Sequence, residues 1–403
     1  LIGFAEFIKE ISAVGDGSGD AVNPIIPSVG ILAANRTQYK TNTASITAPF
    51  TSRRMHYAHP DGDISDIQTV DLNSFLAGIS TASNGPVHNI KRFIEYPQGV
   101  FTPVLWGGLD VVSLSAGGRI KSDIVAGLTI PAGEKFWERT VILTSGNIPV
   151  CVMPAASSAI GVDDGNISGD FGNSGAIGPT TGLNTIGCQA IVGTVNATDA
   201  RSFVLLGDSL TFGALDITGS GPKGASGFVA RMLDDHGYPY MKWCIGGQYL
   251  QNQVTMASRI NADIGQFNFS DFIIASGLND LSLGSRTKAQ VLADIQTMAT
   301  QTNVAGKRVW KTTITPRSSS TDSWATVENQ LPRTDGNMAD LIPLNADIRA
   351  GLPNVYGFID AADAAMSARD SGIHKAPPAG TTDGTHFNSV RAELISSLIG
   401  VEI

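Results

Sequence analysis

The 403 residues include 27 Lys and Arg against 36 Asp and Glu, a formal charge of -9. Gripping a polyanion takes clustered cations, so this balance argues against a nucleic-acid partner. Charged residues are only 16% of the chain and glycine fills 45 positions. That composition points to β-rich, turn-rich structure over at least part of the chain, and the length to two or three domains, each able to bury a core.

Three cysteines, Cys151, Cys188 and Cys244, are too few and too scattered for a disulfide framework or a zinc knuckle. No apolar run reaches the roughly 18 residues of a membrane helix, so no span is expected. The chain opens on Leu1, so a processed or trimmed form is expected; composition alone favours a secreted or periplasmic location.

Residues 1–40 read as an N-terminal extension, with a short helix over Phe4 to Ile11 and then a Gly/Ser/Asp/Pro loop. From 41 to 195, short apolar stretches alternate with turn signals such as Asp61-Gly62 and Gly117-Gly118. Strands are expected over Ser45 to Ala58, Gln68 to Leu72, Asn89 to Tyr96, Phe101 to Trp106, Arg119 to Ile124, Phe136 to Thr144 and Ile186 to Val192. This spacing suggests a β-sandwich or jelly-roll accessory domain. The segment from Ala155 to Asn184, rich in Ser, Gly, Asn and Thr, reads as a long exposed loop.

Residues 196–403 switch to strand and helix in alternation. Phe203 to Leu206, Tyr240 to Cys244, Phe272 to Ala275, Arg308 to Ile314 and Val355 to Ile359 are compact apolar or β-branched runs of the kind buried parallel strands need. Helical periods lie between them: Phe228, Val229, Met232 and Leu233; Val291, Leu292, Ile295 and Met298 behind the cap candidate Thr287; and Val390, Leu394, Ile395, Leu398 and Ile399. The pattern predicts an α/β three-layer sandwich with a five-stranded parallel sheet, its functional residues at the carboxyl ends of the strands.

Three features sit at those ends, and a fourth lies in the loop before the last helix. Gly207-Asp208-Ser209-Leu210 follows the first strand directly, a place where a serine hydroxyl is presented among backbone N–H groups. Gly246-Gly247 follows the second, where the lack of a Cβ lets an N–H approach a reacting oxygen. Asn279, after the third, offers an amide donor to a developing oxyanion. Asp383 and His386, three apart in the loop before the last helix, can pair so that the carboxylate fixes the imidazole tautomer and leaves Nε2 as a base.

In that order these blocks resemble the SGNH hydrolases, also called the GDSL esterases and lipases, over the C-terminal half from about Ser202 onward. The resemblance implies a flavodoxin-like fold with Ser209 as nucleophile, His386 as general base and Asp383 as its orienting carboxylate. It also implies an oxyanion hole of the Ser209 and Gly247 N–H groups and the Asn279 side chain. The residues before Gly247 depart from the family's usual block, so whether Gly246 or Gly247 donates stays open. No cofactor and no metal are implied. Activity is expected to fall with acid, roughly around pH 6 to 7, as the base takes up a proton.

The expected function is a serine esterase acting on short-chain, chiefly acetyl, esters of a small molecule or carbohydrate. Transfer of the acyl group to a sugar hydroxyl, or a catalytically silent binding or structural appendage, are the alternatives. Asp208 is read as bonding to its own turn, and Asp234, Asp235 and His236 as a helix end capped by Gly237 rather than a metal trio. His56 and His59 lack the partners of a metal site. Trp324 is a candidate to pack near the substrate or to anchor its loop, and His374 to border the cleft. Trp106, Trp137, Tyr57 and Tyr96 are candidates to stack on sugar rings, or else core residues.

Overall fold

The computed structural model describes residues 26–152, 164–180, 184–216, 223–376 and 380–399; the helix expected over Phe4 to Ile11 lies outside these. In the C-terminal half, the runs buried on both faces become neighbouring parallel strands. Their order is Thr37–Gln38, Tyr240–Cys244, Phe203–Gly207, Asp271–Ile274, Arg308–Thr312 and Gly357–Ile359. Among the described residues the sheet therefore has six strands, not the five expected from sequence. The additional edge strand comes from the segment assigned to the N-terminal extension, where Thr37 and Gln38 pair with Met241 and Lys242. Two buried polar residues carry no strand signal of their own; the sheet edge beside them supplies it.

The chain crosses from Phe203–Gly207 to one side and then returns to fill the other, so the strand order reverses beside the strand that ends in Gly207. Right-handed crossovers then put the first connecting helix and the later ones on opposite faces. Phe228–His236 packs with Ser389–Ile399 on one face, and Leu250–Thr255 packs with Lys288–Ala299 on the other. Thr287 caps Lys288–Ala299 through a capping box with Gln290, and Gly237, at φ +78°, closes Phe228–His236. The last helix is phased differently from its apolar period: Arg391, Ala392, Ile395, Ser396 and Ile399 are buried, whereas Val390, Leu394 and Leu398 are exposed. Arg391 turns inward because its guanidinium donates to the Lys375 carbonyl at 2.7 Å.

In the N-terminal half, an antiparallel sheet of Ser28–Leu32, Ala190–Val195, Ile64–Leu72 and Arg119–Lys121 shares a hydrophobic core with a second one. The second sheet contains Val112–Leu114, His88–Glu95, Lys135–Ile142, Phe50–Tyr57 and Gly165–Ser168, with Phe101–Val104 paired to His88–Glu95. Gly165–Ser168 lies inside the segment expected to be an exposed loop; it pairs with Phe50–Arg53, and the adjacent Asp164 is buried against Arg36. Trp106 and Trp137 are buried, with Arg53 4.3 Å above the Trp137 ring, so neither offers a free face to a sugar. His56 and His59 are buried on the backbone carbonyls of Asn35 and Arg201. All three cysteines are free and buried.

The halves are stitched together. Asn35 donates to Asp234 at 2.8 Å, Arg119 pairs with Asp263 at 2.6 Å, and Tyr39 lies 5.2 Å from Trp243, ring to ring. Residues 28–38 thus serve both halves rather than preceding them. Among the described residues no helix is long and apolar enough to cross a membrane.

Candidate active site

Ser209 sits at the sheet's reversal point, on the first residue of the short helix Ser209–Phe212. Asp208 caps that helix, accepting from the Leu210 N–H at 2.9 Å. Burial pushes the Asp208 carboxyl up to about 6, against the pull of this N–H. Gly207 is required for close packing, because a Cβ there would overlap the Thr211 side chain.

The loop before the last helix brings the other two residues to this serine, 177 positions away. Ser209 Oγ lies 2.7 Å from His386 Nε2, and His386 Nδ1 lies 2.6 Å from Asp383 Oδ2. The second carboxylate oxygen accepts from the N–H groups of Thr385 at 2.9 Å and His386 at 2.8 Å. Burial works against ionisation of Asp383, but the hydrogen bonds from the His386 ring and from these N–H groups outweigh it and hold the carboxyl well below the usual carboxylate range. An anionic Asp383 accepts a hydrogen bond from Nδ1–H, which leaves Nε2 with a lone pair aimed at the serine hydroxyl.

Beside Ser209 runs the turn Gly246-Gly247, close enough that a Cβ on Gly246 would lie 3.9 Å from Ser209 Cβ. Gly247 has φ +77°. Among the described residues the N–H groups of Ser209 and Gly247 have no protein acceptor. The Asn279 amide, nearly buried, donates to the Gln248 carbonyl at 3.1 Å, which fixes its orientation and leaves a second N–H.

Several residues that hold these segments in place were not singled out from sequence. Gln253 donates to the Gly207 carbonyl at 2.9 Å and to Gln248 at 3.1 Å, and accepts from Ser276 at 2.9 Å, so one amide ties together all three strand ends. Asp280 accepts from the N–H groups of Leu250 and Gln251, at the start of the helix that carries Gln253. Lys311, wholly buried below, donates to the Ser276 and Thr312 carbonyls; burial pulls it down to about 7 despite the nearby Asp208 and Asp280. The only sequence signal for these was a polar residue type.

His374 does not border the cleft. It is buried, edge-on to Phe387, with Nε2 3.0 Å from the Gly384 carbonyl, and burial pushes it down to about 4. Trp324 is placed as an anchor: its indole N–H donates to Ser318 at 3.0 Å, and a Cβ on Gly384 would lie 2.7 Å from its ring. Both residues hold the loop that carries Asp383 and His386. Asp234 accepts from Asn35 and the Ala225 N–H, and among the described residues no His, Cys, Asp and Glu cluster could hold a metal ion.

The C-terminal half resembles the SGNH hydrolases. Solved structures similar to the chain include a lipase/acylhydrolase from Enterococcus faecalis, 23% identical over 50% of this chain and 95% of that one, with a TM-score of 0.36. A carbohydrate acetylesterase from Sinorhizobium meliloti is 17% identical over 50% of this chain and 97% of its own, with a TM-score of 0.34. A Bacillus subtilis protein is matched over 86% of this chain and 79% of its own at 14% identity, with a TM-score of 0.35. No protein-family profile and no curated protein matches the chain. At TM-scores this low, what bears on function is the side-chain geometry.

Proposed function

We propose that the protein is a serine esterase that hydrolyses short-chain, chiefly acetyl, esters through an acyl-enzyme, with Ser209, His386 and Asp383 as its catalytic triad. The observation that carries this reading is the unbroken relay from Asp383 through His386 to Ser209, at 2.6 and 2.7 Å, beside unpaired N–H donors. In the first step Ser209 Oγ bonds to the ester carbon as its proton moves to His386 Nε2. The carbonyl oxygen becomes the oxyanion, held by the N–H groups of Ser209 and Gly247 and by Asn279. Gly247 is taken over Gly246 as the donor of this turn; its φ of +77° is one that favours glycine. The C–O bond to the alcohol then breaks, and the alkoxide leaves with the proton from His386. Water, deprotonated by the same nitrogen, attacks the acyl carbon; the acid departs and Ser209 regains its hydrogen.

The N-terminal half, read as a β-sandwich, is proposed as an accessory domain. Turnover of p-nitrophenyl acetate by wild type, abolished in a folded Ser209→Ala variant, is expected; equal rates for the two would overturn the proposal.

A further inference from the structure

A hairpin of the N-terminal half, formed by Ser74–Gly78 and Thr81–Asn84, reaches the turn that borders the candidate nucleophile. Its tip, Ile79-Ser80, is unusual in chemistry: hairpin tips favour Gly, Asn and Asp, whereas here an isoleucine stands 38% exposed. The hairpin is firmly seated on the C-terminal half. Leu76 is buried in that half's hydrophobic core, Ala82 packs against it, and Arg259 donates to Asn84 at 3.3 Å.

At the tip, the Ile79 carbonyl accepts from the Gln248 side chain at 3.3 Å, and a Cβ on Gly247 would lie 3.4 Å from Ile79 Cγ2. The exposed isoleucine therefore flanks the turn that borders Ser209. The tetrahedral centre at Ser209 assigns its substituents to different sides. The leaving oxygen must be within reach of His386 Nε2 to be protonated, and the oxyanion faces the three donors. The acyl chain, excluded from the leaving-group side, runs past the oxyanion turn, where Ile79 stands.

We infer that Ile79, contributed by the N-terminal half, is the wall that limits acyl length at Ser209. This rests on the esterase reading given above. A side chain on a hairpin braced by the core and by two hydrogen bonds yields little, so a chain that outgrows the space must clash with it or leave the surface. The N-terminal half thereby acts on specificity directly, through a residue beside the oxyanion turn.

The test measures kcat/KM for p-nitrophenyl acetate, butyrate and hexanoate with wild type, Ile79→Ala and Ile79→Trp, each checked for an unchanged Tm. The hexanoate-to-acetate ratio is expected to rise about tenfold in Ile79→Ala and to fall in Ile79→Trp, since one methylene of fit is worth roughly tenfold or more. Ratios within twofold of wild type in both variants, or a fall in Ile79→Ala, would overturn the role of Ile79 while leaving the esterase intact. Absence of Ser209-dependent turnover in wild type would overturn both.

Discussion

Gly384 stands between Asp383 and His386, and replacing it with alanine perturbs the site without touching a reacting group. Its φ is +73°, where a Cβ costs about 1 to 2 kcal/mol. The new methyl would overlap the Ser318 carbonyl and lie 2.7 Å from Trp324 Cζ2. Relieving that overlap requires a movement on the order of 1 Å, and a misplacement of that size costs about a hundredfold in rate. The loop is held from both sides, by Ser318 N–H and His374 Nε2 on the Gly384 carbonyl, each at 3.0 Å. The strain therefore passes into the His386 to Ser209 contact. The expected result for Gly384→Ala is a kcat lower by roughly 100-fold with KM within about threefold, because the base acts only in the transition state. Gly306→Ala is the control: its φ is +83°, but a Cβ there meets nothing within 4 Å, so it carries the backbone cost alone and should keep full kcat. Steady-state kinetics on p-nitrophenyl acetate with melting curves reads both. Gly384→Ala with kcat within threefold of wild type would refute the claim that loop packing sets the base.

Asn279→Ala removes one oxyanion donor and is expected to lower kcat by about 10²- to 10³-fold with little change in KM; a loss below tenfold would remove Asn279 from the hole. His374 gives a prediction about stability. Its ordinary value is 6.5 and its folded value about 4, so between these pH values the unfolded chain binds a proton that the native chain does not. Stability conferred by neutral His374 is complete above pH 6.5 and is lost as pH falls toward 4, by up to about 3 kcal/mol. Urea unfolding at pH 7 and pH 4.5 should show a smaller acid-induced loss in His374→Gln than in wild type. Equal losses would contradict the buried neutral ring.

The five C-terminal strands were legible because strands buried on both faces spell continuous apolar runs, and the candidate site because three of its blocks follow those strands and the Asp383–His386 pair precedes the last helix. Thr37–Gln38 was not legible: a two-residue strand is made by the edge that receives it. The last helix misled because Val390, Leu394 and Leu398 mimic a core stripe, while Arg391 reaches inward for a carbonyl. Gly165–Ser168 hid in a Gly- and Ser-rich context because its partner strand and the buried Arg36–Asp164 pair organise it. Gln253 and Asp280 gave no signal of their own, since their partners are backbone groups of segments distant in sequence. Trp106 and Trp137 followed the usual fate of strand aromatics, packed inside.

The central claim is that Ser209 forms the covalent bond to substrate, and stoichiometric labelling tests it most directly. Incubation with an organophosphate p-nitrophenyl ester, followed by intact mass and peptide mapping, should release one p-nitrophenolate per chain and place one phosphoryl adduct on Ser209. Ser209→Ala should take up none, and His386→Ala should react far more slowly. An adduct on another residue, or an unlabelled but folded wild-type protein, would contradict the account.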